Sequence, residues 1–176
     1  GIPTVETHIA KNPDTAAMLA RQMGFPVALK ILSNDISHKS DVGGVALNLD
    51  TEEAVSSAAE HMLKRAAEAK PDAFITGFTV QKMAPLAGTH ELIVGMTTDP
   101  LFGPVILFGE GWTAVEVIAD RAVALPPLNM NLARELISRT RISKLLKGYR
   151  DQPAANIDAI CLTLMQIAQL TIEIPE

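Results

Sequence analysis

Apolar and polar positions alternate along the first fifty residues in blocks that predict strands and a helix in turn. Thr4 to Ala10 is predicted to be a strand, and the pair Asn12-Pro13 then offers an N-cap followed by proline at the first helical position. Gly24 is expected to end this helix. The runs Val27 to Lys30 and Val45 to Leu49 predict two further strands. The chain is therefore expected to open with a β-α-β unit.

A longer amphipathic helix is predicted after residue 50. Asp50 and Glu53 have the spacing of a capping box, with Asp50 as the cap, and the helix is expected to stop near Pro71. Small and apolar residues recur on one stripe of this helix: Ala54, Val55, Ala58, Ala59, Met62, Leu63 and Ala66. We expect the stripe to pack across a sheet.

From Ala73 onward the pattern changes to β-like runs that are separated by Pro/Gly turns and have no helix between them. These runs are Ala73 to Met83, His90 to Thr97, Pro104 to Phe108 and Ala122 to Leu125, and they predict an antiparallel sheet. Two helices are predicted to follow, Asn131 to Leu146, ended by Gly148, and Asn156 to Leu170. The early β-α-β unit and the later hairpins together favour an α+β fold over a doubly wound parallel sheet.

Composition narrows the class of protein. With 176 residues, of which 48% are hydrophobic, the chain can bury a core and has the size of one domain or of two small lobes. The 15 Lys and Arg against 20 Asp and Glu give a net charge of −5, which disfavours sequence-independent binding to nucleic acid. No apolar run is long enough to cross a bilayer, and no secretory signal pattern is present. Neither a nucleic acid nor a membrane is expected as a partner.

The single cysteine, Cys161, excludes an internal disulfide and favours a reducing compartment, so we expect a cytoplasmic protein. The chain starts at Gly1 without a methionine and stops at Glu176 directly after a helical pattern. It is therefore expected to be a piece of a longer polypeptide.

Lys30 carries the first candidate chemistry. It ends a buried apolar run, so its stem is expected to pack on the sheet while its ammonium faces a cleft, where a phosphate is a natural partner. An isolated lysine at a strand end is more often a surface side chain. The loop that follows it is what favours the phosphate interpretation.

That loop contains the segment HKSDVGG at residues 38–44. Gly43 and Gly44 remove side-chain obstruction, so that backbone N–H groups can close on phosphate oxygens, and Lys39 and Ser40 add further donors. An ordinary hairpin turn is the alternative, because the spacing matches neither G-x-x-x-x-G-K-[ST] nor G-x-G-x-x-G.

The four histidines differ in their surroundings. His38 lies beside Asp41 and is a candidate phosphoryl acceptor, because a neutral imidazole is a competent nucleophile at physiological pH. A loop histidine that is hydrogen-bonded to the backbone is the alternative. His8, His61 and His90 show no metal-ligand spacing, and no structural zinc is expected.

The third candidate is a strand that runs into a turn through Gln81, Lys82, Met83 and Ala84, with Glu91 at the head of the next strand. Backbone at a strand exit can bond an adenine edge, a methionine beside it can cover the adenine face, and a carboxylate can accept from ribose hydroxyls. A hairpin with solvated polar residues is the alternative, and these residues alone do not decide between the two.

Taken together, these segments resemble a known family in order and in spacing. The motifs VALK, HKSDVGGVALNL, VQKMAP, HELIVGMTTDPLFGPVILFGEG and TAVEVIADRAVALPPL are similar to the ATP-grasp domain of NDP-forming acyl-CoA synthetases. The same domain occurs in the related bacterial protein lysine acetyltransferases. The resemblance covers nearly the whole chain, and it is most specific at HKSDVGGV and at the run Asp99, Pro100, Phe102, Gly103 and Pro104.

The resemblance implies an ATP-grasp fold of two α+β lobes with mixed or antiparallel sheets flanked by helices, here residues 1–84 and 85–176. It implies a larger enzyme, an acid-thiol ligase, that interconverts acyl-CoA, ADP and phosphate with acid, CoA and ATP through a phosphohistidine. The implied cofactors are ATP or ADP and Mg²⁺. The implied partners are the CoA-binding and phosphohistidine-bearing domains, in the same protein or in a partner subunit, and a homo-oligomer is left open.

Carried over by position, the resemblance makes Lys30 a ligand of the nucleotide phosphates and residues 38–44 the mobile loop above them. Residues 81–84 become the hinge that faces adenine, and Glu91 meets the ribose. Glu116 and Asp120 would line the phosphate end of the cleft.

The sequence departs from the family pattern at two places. The family continues with a strand that carries an acidic residue and an Asn-Pro pair for magnesium, whereas this chain stops at Glu176, so no metal ligands are expected within it and this piece alone is expected to be inactive. Where family members commonly have G-x-G-G, this chain has Gly109-Glu110-Gly111-Trp112. The indole and the carboxylate are expected to narrow the cleft or to repel phosphate, and the alternative is that Trp112 caps the core.

Three functional interpretations follow from the resemblance. The first is the nucleotide-binding domain of an ADP-forming acyl-CoA synthetase. The second is a nucleotide-sensing or structural module of a lysine acetyltransferase, and the third is a scaffold without catalytic function. The acyl group and the preference for ATP or GTP are not determined by the sequence.

Overall fold

The protein is described by a computed structural model in which residues 1–84, 88–111, 120–150 and 152–174 are placed. The chain divides into two compact units, Pro3–Ala84, called here the N-terminal unit, and Pro85–Glu176 together with Gly1–Ile2, called here the C-terminal unit. Each unit has its own sheet and its own hydrophobic core. None of the described helices is long and apolar enough to span a membrane.

The N-terminal unit is built from four strands and two helices. In chain order these are β1 (Thr7–Ala10), α1 (Pro13–Met23), β2 (Val27–Leu32), β3 (Val45–Leu49), α2 (Glu52–Ala69) and β4 (Gly77–Lys82), with a 3₁₀ turn at Lys39–Val42. The strand order is β1-β4-β2-β3, and all neighbouring strands are antiparallel. The predicted β-α-β unit is therefore present with β4 inserted between its two strands.

The helix starts follow from local capping. The Asn12 side chain accepts from the Thr15 N–H at 2.9 Å, Pro13 occupies the first turn and Gly24 ends α1, as the sequence predicts. The prediction that Asp50 caps α2 is wrong by one residue. Thr51 is the cap, because its extended backbone lets its hydroxyl accept from the Ala54 N–H at 3.1 Å.

Both helices of the N-terminal unit pack on one face of its sheet. Alternate residues of β2, Val27, Leu29 and Ile31, are fully buried there, and Phe78 and Val80 of β4 join them. The predicted stripe of α2 contributes Val55, Ala59, Met62 and Ala66 to the same core. This arrangement leaves the other face of the sheet without a helix from the N-terminal unit.

Strand β4 is shorter than the predicted run from Ala73 to Met83. Residues before Gly77 bond to the last residue of β2 and to the loop after it, outside the pairing of β4. The Thr76 N–H donates to the carbonyl oxygen of Leu32 at 2.8 Å, and the Phe74 N–H donates to the Asp35 carboxylate at 2.7 Å. Their backbone donors are satisfied without extending the ladder.

The C-terminal unit is an antiparallel three-stranded sheet with helices. Its elements are β5 (Leu92–Asp99), β6 (Gly103–Glu110), β7 (Arg121–Ala124), α3 (Met130–Ser138), α4 (Ser143–Leu146) and α5 (Ile157–Glu173), and the strand order is β5-β6-β7. The prediction of an antiparallel sheet is confirmed for the last three of its four runs, which form β5, β6 and β7. It is wrong for the run from Ala73 to Met83: that run supplies β4, whose Phe78 and Val80 are buried in the N-terminal core and which pairs with β1 and β2. Phe108, Leu136, Leu146 and Leu164 are fully buried in a core that these elements share.

The prediction of one helix from Asn131 to Leu146 is wrong. Two helices, α3 and α4, occupy this stretch, and the break lies between Arg139 and Ile142. The Asp120 carboxylate accepts from the Arg141 N–H at 2.6 Å and from the Ile142 N–H at 2.7 Å. A side chain from outside the helix thus takes donors that would otherwise continue the helical ladder.

Candidate functional site

Lys30 lies on β2, an inner strand of the N-terminal sheet. It pairs with Thr79 of β4 on one side and with Val45 of β3 on the other, and Thr79 in turn pairs with Ile9 of β1. Directly paired residues of antiparallel strands project to the same side of a sheet. Ile9, Thr79, Lys30 and Val45 therefore form one row across the face opposite the helices, which we call the Lys30 face.

The surroundings of Lys30 are unusual for a lysine. Its neighbours along the strand, Leu29 and Ile31, are fully buried on the other face, and Lys30 itself is half-buried. Within the described part of the chain its ammonium has no hydrogen-bond or ion-pair partner. A cation held in this way on a sheet face is suited to an anionic ligand.

The turn that follows β2 is anchored on the helix side of the sheet. Val42 is buried in the core, and the Arg65 guanidinium of α2 lies against Gly43, whose φ of 64° is in the left-handed region. Gly44 is close to the Ile31 side chain, so that a Cβ atom there would approach Ile31 Cγ2 to 2.5 Å. Both glycines are required by the shape of this turn.

The backbone donors of the turn are used within it. The Gly43 N–H donates to the Ser40 carbonyl oxygen at 3.0 Å, and the Gly44 N–H donates to the Lys39 carbonyl oxygen at 2.8 Å. The side chains of Lys39 and Ser40 have no described partner, and Ser40 is exposed. In this conformation these side chains, not the glycine N–H groups, are the donors that the turn presents.

His38 is exposed and precedes the 3₁₀ turn without capping it. Its carbonyl oxygen accepts from the Asp41 N–H at 3.3 Å, but no hydrogen bond joins the two side chains in the described part of the chain. The imidazole is therefore accessible and is not oriented by Asp41. Its role as a phosphoryl acceptor stays a prediction.

The predicted hinge leaves the end of β4. Gln81 lies on the Lys30 face, where its side-chain N–H donates to the Thr7 hydroxyl at 3.0 Å. Lys82 points to the helix side, and its Nζ donates to the carbonyl oxygens of Met23 and Gly24. Among the described residues, none bonds the Met83 carbonyl oxygen or the Ala84 N–H. These two groups belong to one trans peptide bond and point in opposite directions, so a single base that meets the Ala84 N–H cannot also meet the Met83 carbonyl oxygen.

The remaining predicted residues belong to the C-terminal unit. Glu91 is exposed just before β5, and its carbonyl oxygen accepts from the Gly111 N–H at 2.8 Å. Both oxygens of the Asp120 carboxylate are bonded by the amides between α3 and α4. Glu116 and Trp112 lie outside the described residues. The nucleotide roles of Glu91 and Asp120 stay predictions, and Asp120 has a clear part in the fold.

The Asp99-Pro100-Leu101-Phe102 segment also has a structural explanation. The Asp99 carboxylate accepts from the N–H groups of Leu101 and Phe102 at 2.8 and 3.0 Å, which forms the turn between β5 and β6. Beside this hairpin lies a cavity of about 720 Å³. Its lining is mainly apolar, from β7, α3 and the turn after β5, whereas β5 itself contributes the polar residues Thr97, Thr98 and Asp99. None of the residues predicted to bind nucleotide lines this cavity.

No cluster of three or more His, Cys, Asp or Glu side chains that could hold a metal ion occurs among the described residues. Burial raises the pKa of the Cys161 thiol, and the hydrogen bond that the Arg134 guanidinium donates to the Asp158 carboxylate raises the pKa of Arg134. These three residues lie together on α3 and α5 of the C-terminal unit. They are not part of the predicted site.

Two features near Lys30 were not predicted. Thr79 and Thr7 share the Lys30 face, and the alternation along β4 that places Gln81 on a face also places Thr79 there. The contact between Arg65 and Gly43 had no signal in the sequence, because it joins residues from separate elements. Such a contact needs the tertiary fold.

The whole chain, residues 1–176, matches the family model described as an ATP-grasp domain. It is 36% identical over 176 residues to the acetate–CoA ligase [ADP-forming] I subunit beta of Pyrococcus furiosus, covering all of this chain and 75% of that protein. It is 39% identical over 184 residues to the acetate–CoA ligase [ADP-forming] I of Archaeoglobus fulgidus, again covering all of this chain but 26% of that protein. The chain thus spans about a quarter of the longer relative.

A solved structure resembles the chain over its full length. It is the dinucleotide-forming acetyl-coenzyme A synthetase 1 of Ca. Korarchaeum cryptofilum in complex with coenzyme A, Ca-AMPCP and HgCl+. The TM-score is 0.94 at 38% identity, and the match covers 100% of this chain and 76% of the other. These matches agree with the predicted α+β ATP-grasp architecture, and they give no support to the acetyltransferase alternative.

Proposed function

This chain belongs to the ATP-grasp domain family, and we propose that it is the nucleotide-binding domain of an ADP-forming acyl-CoA synthetase. The larger enzyme would interconvert acyl-CoA, ADP and phosphate with acid, CoA and ATP. Because the chain spans only 26% of the longer relative, we assign the complete reaction to a larger assembly with further domains or subunits. The domain described here would supply the nucleotide site.

Lys30 is the observation that carries the proposal. It is a half-buried cation with no described partner, in the middle of a sheet face that no helix of its own unit covers. An ammonium in such surroundings gains a charge-assisted hydrogen bond when a phosphate oxygen approaches it. We infer that Lys30 binds the phosphates of ATP or ADP, with the exposed Ser40 hydroxyl and the Lys39 ammonium as further donors.

The hinge would recognise the base. The Ala84 N–H, which has no hydrogen-bond partner among the described residues, can donate to a ring nitrogen of adenine. Glu91 is the proposed acceptor for ribose hydroxyls, and Glu116 and Asp120 are proposed at the phosphate end. These roles place the base at the exit of β4 and the phosphates toward Lys30.

Phosphoryl transfer needs a mobile acceptor. We propose that a phosphohistidine carries the phosphoryl group between this domain and the CoA-binding domain, and that His38 is a second candidate acceptor because its imidazole is exposed. The nitrogen that forms the N–P bond must be unprotonated, and ADP leaves with its oxygen carrying the negative charge.

The location of the protein is a separate proposal. The single Cys161, which is buried and unpaired, supports a reducing compartment such as the cytoplasm.

Magnesium would neutralise the β- and γ-phosphates in the complete enzyme. The described residues do not offer a set of ligands for it, so we assign no metal site and no metal-dependent step to them. What this domain's own residues contribute is binding of the nucleotide and orientation of its phosphates.

The substitution Lys30→Ala tests the proposal. In the full-length protein it should weaken ADP binding about 10- to 100-fold, the range expected when one charge-assisted hydrogen bond to a phosphate is lost. Isothermal calorimetry with ADP and Mg²⁺ measures this. Lys64→Ala, which removes an exposed lysine of α2, is the matched control and should leave the affinity unchanged.

Equal ADP affinity of the wild-type protein and Lys30→Ala would reject Lys30 as the phosphate ligand. Absence of any ADP or ATP binding to the wild-type full-length protein would reject nucleotide binding itself and favour a scaffold.

A further inference from the structure

The Lys82 side chain lies on the helix side of the sheet, opposite the Lys30 face where the nucleotide is proposed to bind. Gln81, its neighbour, points to the Lys30 face, and successive residues of a strand point to opposite faces. Phe78 and Val80 precede Lys82 at alternate positions and are buried against the helices. The Lys82 side chain therefore leaves the sheet on the helix side.

The Lys82 ammonium is committed to the C-terminal end of α1. Its Nζ lies 2.7 Å from the Met23 carbonyl oxygen and 2.8 Å from the Gly24 carbonyl oxygen, in a partly buried position. The last carbonyl groups of a helix lack intrahelical donors and carry partial negative charge, so a cation there is well placed. The positive charge of Lys82 is therefore compensated by these two carbonyl oxygens within the fold.

The main chain at Lys82 and Met83 is tied to two other segments. The Lys82 N–H donates to the Glu6 carbonyl oxygen at 3.1 Å, and the Met83 N–H donates to the Pro26 carbonyl oxygen at 3.2 Å. Lys82 also pairs with Val27 at the start of β2. Lys82 and Met83, in the middle of the hinge, therefore contact three segments: the residues before β1, the end of α1 and the start of β2.

We propose that Lys82 is a positioning residue for the adenine hinge: its ammonium holds the end of β4 against α1 and so fixes the direction of the Ala84 N–H. This inference rests on the proposed nucleotide function. It also changes the part expected of Lys82, from a direct ligand to a support behind the ligand. A base-contacting segment that is fixed before binding loses less entropy when the base arrives.

Separate measurements with ADP and with inorganic tripolyphosphate test this assignment in the full-length protein. Lys82→Met should weaken ADP binding about three- to tenfold, because the adenine contacts lose their fixed geometry. Tripolyphosphate binding, which uses no adenine contact, should not change. Lys82→Arg, which keeps a cation and its donors, should restore most of the ADP affinity, and Lys64→Met is the control for lost charge on the exposed surface.

Two results would overturn the assignment. A parallel loss of ADP and tripolyphosphate affinity in Lys82→Met would mean that the ammonium acts on the phosphates or that the whole site is damaged. Unchanged ADP affinity would mean that the hinge does not depend on Lys82. A wild-type protein that binds tripolyphosphate but not ADP would instead reject the proposed adenine site.

Amide hydrogen exchange gives a readout that needs no ligand. Lys82→Met should accelerate exchange at the Lys82 and Met83 amides, while amides in the middle of α2 keep their protection. Unchanged exchange at these two amides would contradict the positioning role, and this conclusion does not depend on whether the protein binds a nucleotide. Should Lys82→Met not fold, the same comparison is made with Lys82→Gln, which keeps a polar head but loses the positive charge and is expected to accelerate exchange at the same two amides.

Discussion

Lys30 and Lys82 show that the surroundings of a side chain, and not its type, decide its function. Both are half-buried lysines of the N-terminal sheet, on neighbouring strands. Lys82 donates to two carbonyl oxygens at the C-terminal end of α1, whereas Lys30 has no described partner. Because a partly buried ammonium gains most from an anion when it has no other partner, we propose Lys30, and not Lys82, as the phosphate ligand.

Asp120 is the residue whose structural role is easiest to measure. Asp120→Ala removes the acceptor of two backbone N–H groups at the break between α3 and α4, and should lower the free energy of unfolding by about 2 kcal/mol. Urea denaturation followed by circular dichroism measures the change. Asp158→Ala removes an exposed carboxylate whose ion pair with Arg134 spans 2.8 Å, and should cost less than about 1 kcal/mol. Equal effects of the two variants would contradict the assigned role of Asp120.

At the scale of elements, the turn after β2 depends on the absence of a side chain at Gly44. Gly44→Ala would bring a methyl group against Ile31 Cγ2 and the Lys39 carbonyl oxygen, and should destabilise the protein by about 1–3 kcal/mol. Gly95→Ala is a matched control within β5, because no atom lies within 4 Å of the position its Cβ would take. Thermal denaturation compares the two, and a lower midpoint for Gly95→Ala than for Gly44→Ala would contradict this packing.

Most elements could be predicted from the sequence because their signals are local. The N-cap Asn12, the ending glycine of α1 and the alternation of β3 lie within a few residues of the structures that they specify. The single helix predicted for residues 131–146 failed because Asp120, a distant residue, takes two of its amides. The cap of α2 was misplaced because Asp50 and Thr51 are adjacent and both are good caps.

In the candidate site, too, features with a local sequence signal could be predicted and contacts between distant residues could not. The position of Lys30 on a sheet could be predicted from the apolar run before it, and the face it occupies follows from alternation. The partners of Lys82 could not be predicted, because they lie 59 and 58 residues away in the chain and meet it only after α1 packs on the sheet. Family resemblance marked the hinge segment but did not separate a side chain that faces the ligand from one that supports it.

At the scale of the molecule, the two units have separate cores. Phe78 and Phe108 are both fully buried, each among residues of its own unit. Phe78→Ala and Phe108→Ala should each cost about 3–5 kcal/mol, the usual range for a buried phenylalanine. Hydrogen exchange with mass spectrometry should show faster exchange in peptides of residues 7–82 for the first variant and of residues 92–173 for the second. Acceleration of both sets by either variant would contradict independent cores.

The insertion of β4 between β1 and β2 has a consequence for folding of the chain during its synthesis. While the ribosome is still extending the chain, β1 and β2 have been made but the strand that joins them, Gly77–Lys82, has not. Until it emerges, β1 has no strand partner and β2 has only β3, so each offers unpaired backbone to neighbouring nascent chains. Strand β4 completes the sheet and also leads into the proposed adenine hinge. A ribosome that pauses before residue 82 would therefore hold a chain in which neither the sheet nor the hinge has formed.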